Sequence, residues 1–282
     1  MKENVLNKEY KCLNHGFVRL VDVMGDDSSI VQAARVSYGQ GTKTIREDRG
    51  LINYLLSHAH TSPFEMVEFK FHCKMPIFVA RQWIRHRTAS VNEISGRYSE
   101  MKDEFYIPEL DKINLQSKDN KQGRGDILES QIGNEIIESM KDEQKNVFDN
   151  YQKYLKIGTA KELARIDLPL SLYTEWYWKI DLHNLFHFLR LRLDTHAQYE
   201  IRVFGEAMYD IVKECCPMAS EAFEEHVLHA KKFSKTEMEA IKEIMSIVRK
   251  GSPDNGTTLF SVISEQLGIN GKSKDEFLNK LL

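Results

Sequence analysis

The sequence is poor in the features that mark secreted, membrane-spanning or broadly nucleic-acid-binding chains. Four cysteines occur in 282 residues, two of them adjacent (Cys215 and Cys216), which excludes a disulfide framework. They suit a reducing cytoplasm, where free cysteine serves as a small core residue. No apolar run approaches the length of a membrane span, and the opening MKENVLNKEYK lacks the apolar centre of a signal peptide. An excess of basic residues is missing too. Lys and Arg number 39 against 42 Asp and Glu, for a net charge of −3, which argues against a general binder of nucleic acid or membrane surfaces. Neither a G-x-G-x-x-G fingerprint nor a Walker loop is present, so the common phosphate-cradling folds are excluded. The composition, 41% hydrophobic and 29% charged residues, is that of a soluble globular chain long enough for a real core.

Hydrophobic periodicity then sets the expected elements. FVRLVDVMG (17–25) has the pattern of a strand, and Asp26 or Asp27 is placed to cap a helix through SSIVQAARVS. A second helix is expected over 46–58, with Ile52, Leu55 and Leu56 inward, until TSPFE breaks it. Val67, Phe69, Phe71 and Cys73 alternate with polar residues, as in a half-buried strand. Pro76 suits the first turn of a helix through PIFVARQWIRHR. DKINLQSKDNKQGRGD has no pattern and reads as an exposed loop. Helices are expected over 126–157 and 159–167, and LSLYTEWYWKI alternates again, with Leu172, Thr174, Trp176 and Trp178 on one side. One long helix is expected from Leu182 to Lys213. SKTE (234–237) is a capping box for an amphipathic helix to Lys250, and SKDE (273–276) caps a last short one. The expected class is α+β, a central β-sheet with packed helices and a C-terminal helical extension, divided into 1–225 and 226–282.

One stretch stands apart from the mildly acidic average. RHRTASVNEISGRY (85–98) places Arg85, His86, Arg87 and Arg97 among Ser90, Asn92, Ser95 and Gly96, with one acid, Glu93. Guanidinium groups grip phosphate bidentately, and small hydroxyl residues complete the oxygen contacts. Gly96 allows close approach of the backbone to a ligand. Glu93 has no use in a pure phosphate site, but it accepts from a sugar hydroxyl or a base N–H. The cluster therefore reads as a nucleotide site, set against a merely solvated arginine-rich face. A metal site is weighed at His183 and His187, four apart on the expected helix, with Asp194 and His196 following. No Glu adjoins the first His and no His-Asp dipeptide occurs, so no metal is assigned.

The same fourteen residues resemble the signature R-H-R-x-x-S-x-N-E-x-S-x-R-Y of flavin-dependent thymidylate synthases, with every fixed position met. AARVSYG, HAHTSPFEM, ARIDLPLSLYTEWYW and FLRLRLDTHAQYEI also resemble family segments, in family order, over residues 15–225. The resemblance implies synthesis of dTMP from dUMP, with methylenetetrahydrofolate as carbon donor and NADPH as reductant through FAD. It implies a cytoplasmic homotetramer whose active sites draw on several subunits, with no nucleic acid or membrane as partner. By position it assigns Gln82, Arg85, Glu93, Ser95, Gly96, Arg97, Arg165 and Arg192 to dUMP, with Arg192 as the catalytic residue that stabilises the uracil ring as an anion. It assigns Ser62, Arg85, His86, Arg87, Glu93, Asp181, His183 and His187 to FAD. The DLH segment (181–183) departs from the usual Asn-x-Arg, and an acid at 181 cannot donate as an amide does.

The chemistry needs electron density at uracil C5, supplied either by a nucleophile adding at C6 or by ionisation at N3. Ser95 has no adjacent base in sequence, the nearest histidine being His86, and Cys73 lies on an expected buried face. The second route, without an enzymic nucleophile, is the one expected. A single-strand RNA or nucleotide binder and a metal-dependent nucleotide hydrolase remain as rivals. Flavin colour or bound zinc in the purified protein distinguishes them.

Overall fold

The computed structural model describes residues 2–36, 45–118 and 123–250, together with Val262, Gln266 and Ile269. Five antiparallel strands form the central sheet: β1 (Glu9–Cys12), β2 (Gly16–Met24), β3 (Glu68–Pro76), β4 (Ser90–Glu93) and β7 (Tyr173–Asp181). Their spatial order is β1-β2-β3-β7-β4, and β5 (Asn114–Gln116) pairs with β6 (Arg124–Ile127) in a separate ribbon. The helices are α1 (Asp27–Arg35), α2 (Ile45–Ser57), α3 (Ile77–Trp83), α4 (Ser130–Lys156), α5 (Lys161–Ala164), α6 (Leu182–Arg192), α7 (Tyr199–Cys215), α8 (Pro217–Phe223) and α9 (Lys235–Lys250). The chain divides into two compact units, Met1–His229 and Ala230–Leu282. In the second, Ser234 and Glu237 make the reciprocal capping box read from SKTE, and α9 extends from it. The helix expected after 273 lies outside the described residues.

In the first unit the class is α+β, as expected. On β7, Thr174, Trp176, Trp178 and Ile180 are buried while Tyr177 and Lys179 face out, so the sequence alternation is the structural one. β3 departs from it. Phe69, Phe71 and Cys73 are buried, but so are His72 and Lys74 on the opposite face. They tolerate burial because each has partners. His72 bridges Arg19 and Glu175 at 2.6 Å on each side and stacks on Tyr177, and Lys74 pairs with Glu104 at 2.7 Å.

Three further expectations change. The long helix from Leu182 breaks over 193–198, where the Asp194 carboxylate accepts from the His196 backbone N–H at 2.8 Å, a turn in which Asp outcompetes helix. The patternless stretch carries the β5–β6 ribbon. The middle of the cationic cluster, Ser90–Glu93, is not loop but strand β4, the edge of the sheet beside β7.

The core centres on Trp83, fully buried at the end of α3. Its ring lies 5.4 and 5.3 Å from Trp176 and Trp178 of β7, 5.0 Å from Phe188 of α6 and 5.9 Å from Phe204 of α7. One side chain thereby joins the sheet to three helices. A second tie is Asp27, which accepts from the backbone N–H groups of Met218 and Ala219 at 2.8 and 3.0 Å and so satisfies the open end of α8.

Trp83→Ala is expected to cost about 3–5 kcal/mol of stability, because the surrounding rings cannot collapse into the space. Asp27→Ala should cost about 1–2 kcal/mol, the scale of a lost helix cap. Urea midpoints of the purified variants, compared at unchanged slope, measure both.

Candidate active site

The cationic cluster starts where α3 ends. The Ile84 N–H still bonds Ala80 O at 2.9 Å and the His86 N–H bonds Trp83 O at 2.9 Å, so the chain tightens into a turn directly beneath the buried tryptophan. That turn leaves Arg85 and Arg87 exposed and His86 half-buried. The His86 ring lies 5.3 Å from His187 on α6, 5.7 Å from Phe188 and 6.3 Å from Trp178. Burial lowers the affinity of His86 for a proton, and nearby His187 and Arg192 lower it further. His187 is lowered too, by burial and by Arg190 and His183. Both imidazoles are therefore neutral near pH 7 and each carries an acceptor nitrogen.

Arg192 ends α6. Its Nη2 donates to the backbone carbonyl of Gln82 at 3.3 Å, and its guanidinium carbon lies 5.8 Å from the Phe188 ring. A Cβ on Gly205 of α7 would stand 3.1 Å from Arg192 Cβ, so the absence of a side chain there gives Arg192 its place. The Arg192 Nε and the His86 Nε2 are buried with no hydrogen-bond partner among the described residues. Buried polar atoms are nearly always paired, so two orphans in one region fit a site made for a polar ligand. A cleft of about 190 Å³ lies beside His86, lined also by Arg87, Val91, Trp176 and Trp178 among others. Flat indole walls, a neutral histidine acceptor and an arginine donor suit a heteroaromatic ring with amide-type edges. These features fit a flavin.

The other half of the motif gathers against α5. Arg97 Nε pairs with Glu162 at 2.9 Å, and the Arg97 N–H donates to Ser95 Oγ at 3.3 Å. Gly96 leaves room for a neighbouring side chain: a Cβ there would meet Arg165 Cδ at 2.9 Å and Met101 Sδ at 3.0 Å. Arg165 thus lies across Gly96, and the two residues keep each other in place. Glu93, at the end of β4, accepts from the Thr174 hydroxyl at 2.5 Å through one oxygen.

Several assigned residues have other duties. Asp181 is the N-cap of α6, accepting from Asn184 N at 2.9 Å and Asn184 Nδ2 at 2.7 Å. His183 and His187 lie one turn apart on that helix, and no metal-ligating cluster occurs among the described residues. Ser62 is exposed on the 3-10 turn Ser62–Met66, which packs against α6. The four cysteines are free and buried, and burial pushes the Cys73 thiol well above its usual range and Cys12 up to about 12. A thiolate nucleophile is thereby disfavoured. Sequence reasoning missed Thr174, Glu162 and Gln198, whose amide carbonyl accepts from Gln82 Nε2. All three lie far along the chain from their partners, and no local pattern marks them.

A family model described as "Thymidylate synthase complementing protein" matches residues 19–218. A relative in Ehrlichia ruminantium, "Flavin-dependent thymidylate synthase", is 56% identical over 244 residues, covering 86% of this chain and 82% of its own. Another of that name in Treponema denticola is 53% identical over 277 residues and 98% of each chain, so the alignment takes in most of 226–282, beyond the family segments read from sequence. A solved structure, the UMP/dUMP methylase PolB of Streptomyces cacaoi bound with 5-Br dUMP, superposes with a TM-score of 0.71 at 32% identity, covering 78% of this chain and 99% of that one. With the motif at 85–98 complete and its residues built into one sheet edge and two helix ends, the chain belongs to the flavin-dependent thymidylate synthase family.

Proposed function

We propose that the protein methylates dUMP to dTMP, with methylenetetrahydrofolate as the carbon source and NADPH as the reductant through FAD. The observation that carries this reading is the pairing of a complete motif with two unsatisfied buried polar atoms, His86 Nε2 and Arg192 Nε. Bound FAD would supply the two-electron link between the nicotinamide and the nucleotide ring. His86 and His187, with Arg85, Arg87, Glu93 and Ser62, hold that cofactor. Asp181 sets the start of α6 and so the direction in which His183 and His187 face.

Gln82, Arg85, Glu93, Ser95, Gly96, Arg97 and Arg165 hold dUMP. Arg192 lies beside the ring and stabilises negative charge drawn into it. Burial weakens its hold on a proton, but a guanidinium remains charged, and a charge out of water acts more strongly on its neighbour. Ser95 contributes a hydrogen bond and not covalent attack. Its Oγ accepts from Arg97 N, an amide that cannot take the hydroxyl proton as a nucleophile's base must.

The active assembly is a cytoplasmic homotetramer. Ile94, Val91 and Tyr98 of the motif are 37%, 43% and 78% exposed, and Leu163, Ile166 and Leu170 nearby are 58%, 68% and 61% exposed. Apolar exposure of these residues beside a polar site supports a surface that another subunit covers. The free, buried cysteines suit a reducing compartment, and no described helix is long and apolar enough to cross a membrane. Catalysis belongs to residues 1–225, with 226–282 as an extension.

The purified protein should be yellow and should release dTMP only when dUMP, methylenetetrahydrofolate and NADPH are supplied together. Turnover that persists after flavin is stripped would refute the assignment. Arg192→Lys should lower kcat by roughly ten- to a hundredfold, the scale of one charge-assisted hydrogen bond. Arg165→Lys should act mainly on the KM for dUMP. Equal effects, confined to KM in both variants, would show that Arg192 only binds. A chain ended at His229 should keep its turnover, and loss of bound flavin from it would place the extension in the site.

A further inference from the structure

A chain of hydrogen bonds leads away from Gln82 into the body of the protein. It ends at Glu200, in the first turn of α7, which is 2% exposed. The Glu200 carboxylate accepts from Arg124 Nη2 at 2.6 and 2.5 Å, from the Tyr106 hydroxyl at 2.8 Å and from Gln198 Nε2 at 2.9 Å. Burial pushes this carboxyl up, but the bonds from Arg124, Tyr106 and Gln198 outweigh burial and leave it below the usual carboxylate value. Glu200 is therefore ionised, and an ionised carboxylate only accepts.

That one fact orients everything downstream. Gln198 has to turn its NH2 group to Glu200, which leaves its carbonyl facing the other way. The carbonyl meets Gln82 Nε2, the nitrogen of the next amide. The Gln82 amide is consequently held with its nitrogen toward Gln198, and its free edge offers a carbonyl acceptor and a remaining N–H in fixed order. The backbone carbonyl of the same residue accepts from Arg192 at 3.3 Å, so Gln82 is tied through its main chain to the group assigned to the pyrimidine ring.

We propose that Glu200, acting through Gln198, is a positioning residue that fixes the sense of the Gln82 amide and so makes the site select uracil over cytosine. The proposal rests on the reading that Gln82 and Arg192 bind dUMP. Around N3 and C4, uracil presents an N–H donor followed by a carbonyl acceptor. Cytosine presents a bare nitrogen followed by an amino donor. The order is reversed, and an amide free to rotate by half a turn satisfies either ring equally well. An amide pinned in one sense satisfies only one and leaves groups unpaired against the other. Arg124 gives the arrangement a second anchor: it reaches Glu200 from β6, so the β5–β6 ribbon supports the base-reading edge from outside the motif.

The test is competitive binding of dUMP and dCMP to the full-length holoenzyme, with flavin content read from absorbance. Two variants are compared with wild type: Glu200→Gln, which removes the acceptor-only end, and Gln198→Met, at an exposed position, which cuts the chain without removing the buried charge. Each should keep its flavin and lower the preference for dUMP over dCMP by about tenfold, the scale of one net hydrogen bond. Should Glu200→Gln fail to fold, Gln198→Met still decides the matter. A merely structural Glu200 would lower the melting temperature and leave the dUMP to dCMP ratio of both variants unchanged, which overturns the proposal. Wild-type protein that carries no flavin and makes no dTMP would overturn the reading of function, and the proposal with it.

Discussion

The packing of Trp83 is the constraint on which the rest of the molecule depends. It is the last residue of α3, and its ring is enclosed by two tryptophans of β7 and one phenylalanine each from α6 and α7. Gln82, His86, His187 and Arg192 are each offset from this contact by a short piece of backbone. Gln82 precedes it, His86 comes one turn after it, and Phe188 stands between His187 and Arg192 on α6. An aromatic cluster is a sound base for such a site, since large rings bury much area with few rotatable bonds and interlock at defined angles. The polar groups above it are then held by packed elements rather than by mobile loops.

Electrostatics complete the arrangement with little net charge. The chain as a whole is slightly acidic, yet Arg85, Arg87 and Arg97 flank the edge strand β4, Arg165 lies across Gly96, and Arg192 ends α6 against the Gln82 carbonyl. Glu162 holds Arg97 and the Gln82 carbonyl holds Arg192, so two of these cations are steadied from within the chain. The two neutral histidines belong to the same design, because imidazolium at 86 or 187 would repel Arg192 and Arg190. Positive charge is thus concentrated where an anionic ligand is expected, and proton uptake at its centre is suppressed.

Much of this is legible in the amino-acid order alone. The alternation in YTEWYWKI marks β7 and its buried face, Asp26 marks the start of α1, and the motif at 85–98 points to the family. The misreadings have physical causes. α6 and α7 read as one helix because their apolar spacing continues across 193–198, and it is the side chain of Asp194, bonding two residues ahead, that stops it. His72 and Lys74 read as solvent-facing because period-two alternation assumes that polar residues seek water, whereas here they find Arg19, Glu175 and Glu104. Thr174, Glu162, Gln198 and Glu200 are invisible as partners of Glu93, Arg97, Gln82 and Arg124 because those contacts span long sequence separations that no local pattern encodes.

The interruption between α6 and α7 also bears on how the chain tolerates changes in length. Each residue added to a helix rotates the next part of the chain by about 100° and advances it by about 1.5 Å. A single insertion or deletion within the last turn of α6 would therefore turn Arg192 away from Gly205 and from the Gln82 carbonyl. Residues 193–198 behave as a spacer of set length, although they are a surface turn of the kind that usually accepts insertions. A library built on this scaffold should keep Asp194, Gln198 and the number of residues between Arg192 and Tyr199, and vary the identities of the remaining positions of the turn.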